Sequence, residues 1–210
     1  MTNIFFTSDF HLFHKNILSF TGRPFKDLEA MHTKLISNFN EVVAPEDVTY
    51  FLGDMGTGTT EEMRSVIDRL KGTKILIIGN HDHNLSRSYS YGFDVVLNSA
   101  SMIVAKTLLT LSHYPFKDVK REDISAMGRV EGNEKAPWHG SWRKTAKHAL
   151  PSHNGFHLHG HIHSPNKGQS VRLLDNQLDV GVDANNLKPV SLKTVTKEIN
   201  RYISRTEHNT

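Results

Sequence analysis

Carboxylate, amide and imidazole groups gather at five places in this chain: Asp9-Phe10-His11, Gly53-Asp54, Gly79-Asn80-His81-Asp82, Ser112-His113 and Gly160-His161-Ile162-His163. Such groups do two kinds of chemistry. Neutral imidazoles and ionised carboxylates bind divalent metals, and histidine moves protons near neutral pH. Cysteine is absent, which excludes thiolate sites and disulfides together and suits a cytosolic protein. Oxygen and imidazole donors without thiolate favour Mn, Fe, Ni or Zn over soft-metal sites. No cluster is specific alone, since Asp-x-His is common and Gly-Asp is an ordinary turn. Their joint occurrence is the signal, because each follows a short apolar run.

Those runs are the elements that must position the clusters. Ile4-Phe5-Phe6-Thr7-Ser8 reads as a buried strand ending at Asp9. Residues 27 to 43 carry Leu28, Met31, Leu35, Ile36, Phe39, Val42 and Val43 at helical spacing and stop before Pro45. Val48 to Leu52 is a second strand running into Gly53-Asp54, residues 60 to 70 a second helix, and Lys74 to Ile78 a third strand running into Gly79-Asn80. This alternation is that of an open α/β sheet, where ligands collect at the carboxyl ends of the strands. The second half is richer in strands: 95–97, 102–104, 108–111 and 156–159, then 171–174 and 177–180 flanking a tight hairpin at Asp175-Asn176. A last helix follows Pro189-Val190-Ser191, with Ser191 its N-cap.

With 210 residues, 37% hydrophobic and 22% charged, the chain is long enough to bury one core and has no disordered composition. No run approaches the ~18 apolar residues of a membrane span, and the first residues lack the pattern of a signal peptide. The net charge of +3 is too small to define a nucleic-acid binder. Its placement is uneven: residues 117 to 147 hold eight basic and five acidic side chains, as large an excess as the whole chain has. Residues 115–153 also lack clean periodicity and carry both tryptophans, and they read as a lid-like insertion in a single domain spanning 1–210.

In motif order the sequence resembles the calcineurin-like metallophosphoesterase superfamily, over nearly the whole chain from Asp9 to Asp183. It looks most like the small bacterial and phage-encoded members, which share His14-Lys15-Asn16-Ile17, Gly22-Arg23-Pro24-Phe25, Val180-Gly181-Val182-Asp183 and Lys188-Pro189-Val190-Ser191. The resemblance implies an α/β (α+β) four-layer sandwich, two packed mixed β-sheets flanked by helices, with a pair of divalent ions, manganese favoured, at the strand ends. By position it assigns one metal to Asp9, His11, Asp54 and His163, and the other to Asp54, Asn80, His113 and His161, with Asp54 bridging. It implies that His81 binds the phosphate and protonates the leaving alkoxide; Asp82, next in sequence, is expected to orient the His81 ring through its other nitrogen. The reaction so implied is in-line attack on a phosphate ester by a hydroxide held between the ions, with no covalent enzyme intermediate.

Four further residues are candidates for touching substrate. His14 lies three residues beyond His11, and Arg23 has the guanidinium a phosphate would accept. Trp138 and Trp142, in the basic insertion, would either stack on a nucleobase or anchor the insertion. His83, His157 and His159 read as surface or packing residues. The expected substrate is a small or nucleotide-like phosphodiester, with no membrane partner and a cytoplasmic location. The alternatives are a phosphomonoesterase or protein phosphatase, a nuclease, and a non-catalytic scaffold. Phosphatases of the superfamily commonly carry an arginine soon after the second motif, and its repair nucleases a histidine; here the run is Asp54-Met55-Gly56-Thr57-Gly58-Thr59.

Overall fold

The computed structural model describes residues 1–116, 148–164 and 175–207. Two mixed sheets pack face to face and are flanked by helices. The first has the order β4-β3-β2-β1-β9. Its strands β1 (Ile4–Thr7), β2 (Val48–Phe51), β3 (Thr73–Ile77) and β4 (Val95–Leu97) are parallel, and the two-residue β9 (Val190–Ser191) runs antiparallel to β1. The second has the order β5-β6-β7-β8, made of β5 (Ala100–Val104), β6 (Thr107–Leu111), β7 (Phe156–His159) and β8 (Gln177–Asp179). Only β5 and β6 pair antiparallel there, through a turn at Ala105 and Lys106 with φ of 48° and 63°.

The helices follow the sequence's own signals. Asp27 caps α2 (Leu28–Val42) by accepting from the Ala30 amide at 2.8 Å, and Thr59 with Glu62 forms a capping box on α3 (Thr60–Ile67). Two short helices, α1 (Ile17–Thr21) and α4 (Leu85–Ser90), have too few apolar positions to show a period and escape sequence reading. Helix α5 (Leu192–Glu207) starts where Ser191 Oγ accepts from the Thr194 amide at 3.2 Å, as its N-cap expectation required.

Strand alternation divides the core in two. Phe5, Phe51 and Leu76 face the α2 and α3 side, where Phe51 meets Phe10 edge-on and Phe39 face-on. Phe6, Leu52 and Ile77 face the other sheet and pack on Leu109, Leu111, Phe156, Leu158 and Leu178, with Val195 and Ile199 of α5 joining beside β1 and β9. Each fully buried phenylalanine contributes roughly 1.5–3 kcal/mol. β1, β2 and β3 are thus packed on both faces, and β6 and β7 pack on them from the second sheet.

Two expectations change here. Residues 95–97 are grouped by sequence with the strands that follow, yet β4 completes the first sheet, parallel to β3. The first arm of the expected hairpin, 171–174, lies outside the described residues; its second arm, β8, pairs parallel with β7. Among the described residues no helix is long and apolar enough to cross a membrane.

Candidate metal centre

The backbone continues its pairing past the strand ends and so carries the polar clusters to one place. Asp9 and His11 amides bond to the Gly53 and Asp54 carbonyls at 3.0 Å each, the Gly160 amide to the His113 carbonyl at 3.0 Å, and the Val182 amide to the Ser8 carbonyl at 3.1 Å. Asp9, His11, Asp54, His161 and His163 all have positive φ, between 44° and 73°. That conformation is costly for residues with a Cβ, and it turns each side chain off its strand's alternation and inward. Gly160 serves by close approach: a Cβ there would overlap Ser8 Oγ and the Asp9 carboxylate.

Two groups of donors result. Asp9, His11 and His163 offer atoms within 4.8 Å of one another, and so do Asp54, His113 and His161. Both groups are buried. In the first, His11 Nε2 and His163 Nε2 are 3.0 Å apart, and Asp9 Oδ1 is 3.9 and 3.7 Å from them. In the second, His113 Nε2 is 3.1 Å from Asn80 Oδ1 and 3.2 Å from His161 Nδ1. Asp54 joins the two, with Oδ2 at 3.5 Å from His11 Nε2 and 3.3 Å from His113 Nε2. Its Oδ1 is taken by the His81 amide at 2.8 Å. Asn80 therefore sits with the second group.

The tautomers are set from behind. His113 Nδ1 bonds to the Leu52 carbonyl at 2.8 Å, and His163 Nδ1 to Asp183 Oδ2 at 2.7 Å, so both Nε2 atoms face the centre. Burial, then the neighbouring His163, holds the His11 imidazole well below its ordinary value; burial and His113 do the same to His161. These rings are neutral and present lone pairs. Burial opposes charge on His113 as well, but Asp54 beside it raises that ring to about 9. Burial works to raise Asp54, yet His113, His11 and His81 hold it well below the carboxylate range. Neutral imidazole lone pairs and buried carboxylates converging in one space fit divalent cations.

Asp183 escaped sequence reading as a functional residue. It accepts two bonds from Arg23, at 2.8 and 2.9 Å, and the same guanidinium donates to the Asp9 carbonyl at 2.6 Å and the Phe10 carbonyl at 2.9 Å. Burial would raise Asp183, but Arg23 and His163 hold it far below the ordinary carboxylate value. The signal was present in the runs Gly22-Arg23-Pro24-Phe25 and Val180-Gly181-Val182-Asp183, which meet only in space.

Two expected roles are corrected by these contacts. Arg23 is not a substrate contact: it is 5% exposed, and its donors are engaged on Asp183 and the Asp9 loop. Asp82 does not orient the His81 ring. Its carboxylate accepts from the Asp54, Met55 and Gly79 amides at 2.8 Å each, pinning the ends of β2 and β3 together, and among the described residues no bond joins it to that ring. Burial, with Asp54 nearby, raises Asp82 to about 6.

His81 stands exposed at the rim, its ring 5.0 Å from that of His11. His14 joins them, with ring centres 5.4 Å from both His11 and His81, and the three offer a further donor group. His157 and His159 are fully buried packing residues. Trp138 and Trp142, with most of the insertion expected at 115–153, lie outside the described residues.

Fold and site together define a metal-binding α/β sandwich with its ligands on strand-end loops. The sequence profile of the calcineurin-like phosphoesterases matches residues 2–180, and the chain belongs to that family. It is therefore a metal-dependent phosphoester hydrolase. Among relatives, the uncharacterized protein MJ1445 of Methanocaldococcus jannaschii is 32% identical over 151 residues, 62% of this chain and 84% of its own. The gene 66 protein of Mycobacterium phage L5 is 28% identical over 203 residues, 88% of each chain. A solved structure of a protein of unknown function from Aquifex aeolicus, AQ665, superposes with a TM-score of 0.65 at 24% identity, over 94% of this chain and 99% of that one. It shares the fold.

Proposed function

We propose that the chain is a phosphodiesterase with a dinuclear centre, manganese being the favoured metal, acting on a small or nucleotide-like ester in the cytoplasm. The carrying observation is the placement of Asp54 Oδ2 between two separate histidine groups, 3.5 Å from one Nε2 and 3.3 Å from the other. A carboxylate so placed can bridge two cations, with Asp9, His11 and His163 completing one set and Asn80, His113 and His161 the other. Bound divalent ions would supply Lewis-acid stabilisation of the phosphoryl oxygens and an activated water.

The remaining work falls to side chains. His81, exposed above the buried ligands and fixed through its amide on Asp54, binds the phosphate and hands a proton to the leaving oxygen. His14 stands beside it as a second phosphate contact. Arg23 supports the diester preference by being engaged elsewhere, since a guanidinium clamp suits a dianionic monoester.

Hydrolysis of bis-p-nitrophenyl phosphate against p-nitrophenyl phosphate, with Mn²⁺ and with His81→Gln as control, tests the reading. Turnover of the diester, lost in the variant, together with two equivalents of bound metal, is the expected result. Turnover of the monoester alone makes the chain a phosphomonoesterase, and no turnover of either with any divalent metal removes the catalytic reading.

A further inference from the structure

Beside the second donor group lies an open cavity of about 660 Å³. That is far more than a phosphate fills and within the ~300–1,000 Å³ typical of small-molecule sites. Asn80 and His113 are among its lining residues, so a phosphate held at them would lie beside this space. Tyr114 forms a wall. Its ring meets His113 and His161 edge-on, at 4.9 and 5.1 Å, and lies nearly parallel to His148 at 5.9 Å and 22°. Asn98 and Ser99, on the link between β4 and β5, contribute an amide and a hydroxyl that make no hydrogen bond among the described residues. Ile78 and Leu150 supply apolar lining, and none of the described lining residues is Lys, Arg, Asp or Glu.

This chemistry selects among ligands. A strand of nucleic acid would need cations along its phosphates, and none of the described lining residues supplies one. A purely aliphatic group would leave the amide and hydroxyl unanswered. A planar heteroaromatic ring with donors and acceptors on its edge answers both the ring wall and the polar link. We propose that the cavity is the specificity subsite of the hydrolase and takes the base of a single nucleoside, against the Tyr114–His148 ring pair and within reach of Asn98 and Ser99, while the nucleoside's phosphate lies at Asn80 and His113. The inference rests on the phosphodiesterase reading above and names its substrate class: a phosphodiester carrying one nucleoside.

The test compares thymidine 5′-p-nitrophenyl phosphate with methyl p-nitrophenyl phosphate, which share a leaving group and differ only in the substituent. The Mn²⁺-loaded protein should prefer the nucleoside ester by about tenfold or more in kcat/KM, the scale of one base–aromatic stack. Tyr114→Leu and, at the exposed link, Asn98→Ala should each pull that ratio toward one. Alongside, saturation-transfer NMR of thymidine with the metal-free protein should show contacts to the base that Asn98→Ala weakens. Equal kcat/KM for the two esters in the wild type overturns the subsite and leaves the hydrolase standing. If neither ester turns over, the phosphodiesterase reading fails, and the NMR arm decides the cavity alone: base contacts sensitive to Asn98→Ala support it, and their absence refutes it.

Discussion

Metal uptake by this centre should be a proton exchange, and His113 is where the exchange can be measured. In the metal-free protein Asp54, 3.3 Å away, overrides the burial of the ring and lifts it to about 9, so at neutral pH His113 carries its second proton on the Nε2 that faces the centre. A cation can bind there only by expelling it. The sign follows: affinity rises with pH wherever the metal-free ring is protonated, and levels off above about 9. One proton gives about tenfold per pH unit, so moving from pH 6.5 to 8.5 should tighten binding about 100-fold, or about 2.7 kcal/mol. His163, also raised by Asp9 and Asp183 against its burial, can only steepen the slope. Calorimetric Mn²⁺ titrations in buffers of different ionisation enthalpy count the protons released. Imidazole NMR of the metal-free protein separates the ring's proton from one lost by a bound water, by following His113 itself. A neutral His113 at pH 7, with affinity flat over the two units, would refute the electrostatic account of the site.

Three further outcomes follow from the same contacts. Asp183→Asn keeps a partner for His163 Nδ1 but removes its charge, and should weaken metal binding about 10- to 100-fold by titration, as loss of carboxylates behind ligand histidines does; an unchanged affinity would show that Arg23 and Asp183 only hold the fold. Gly160→Ala forces a methyl group into Ser8 and the Asp9 carboxylate, and should lower the thermal midpoint by an amount equivalent to roughly 1–3 kcal/mol while abolishing tight metal binding. His157 is kept neutral, its pKa lowered to about 4 by burial against its bonds to Tyr114 and Thr110, so its contribution is complete above about 6.5 and is lost as pH falls toward 4. That loss is about 3 kcal/mol, and denaturant titrations should show His157→Gln with a correspondingly flatter stability profile between pH 4 and 6.5.

The pattern of strand-like runs ending in polar clusters is local, and the sequence carried it openly: β1, β2, β3, β6 and β7 end within one residue of the runs Ile4–Ser8, Val48–Leu52, Lys74–Ile78, Leu108–Leu111 and Phe156–His159. With the absence of cysteine, those runs determined an α/β fold with oxygen and imidazole donors at one edge. They could not determine which sheet each strand joins, because hydrogen bonding between strands is not written in either strand alone; β4 went to the first sheet on that account. Nor could side-chain type reveal employment. Arg23 and Asp82 have the groups a phosphate site and a catalytic dyad require, but buried donors and acceptors must find partners, and the partners in reach were Asp183, the Asp9 loop and three backbone amides. Asp183 is the converse case, twenty residues from His163 in sequence and 2.7 Å from it in space. The sequence determined the donors. The fold, by turning five of them into positive φ and placing Asp54 between two groups of histidines, brought them to one place.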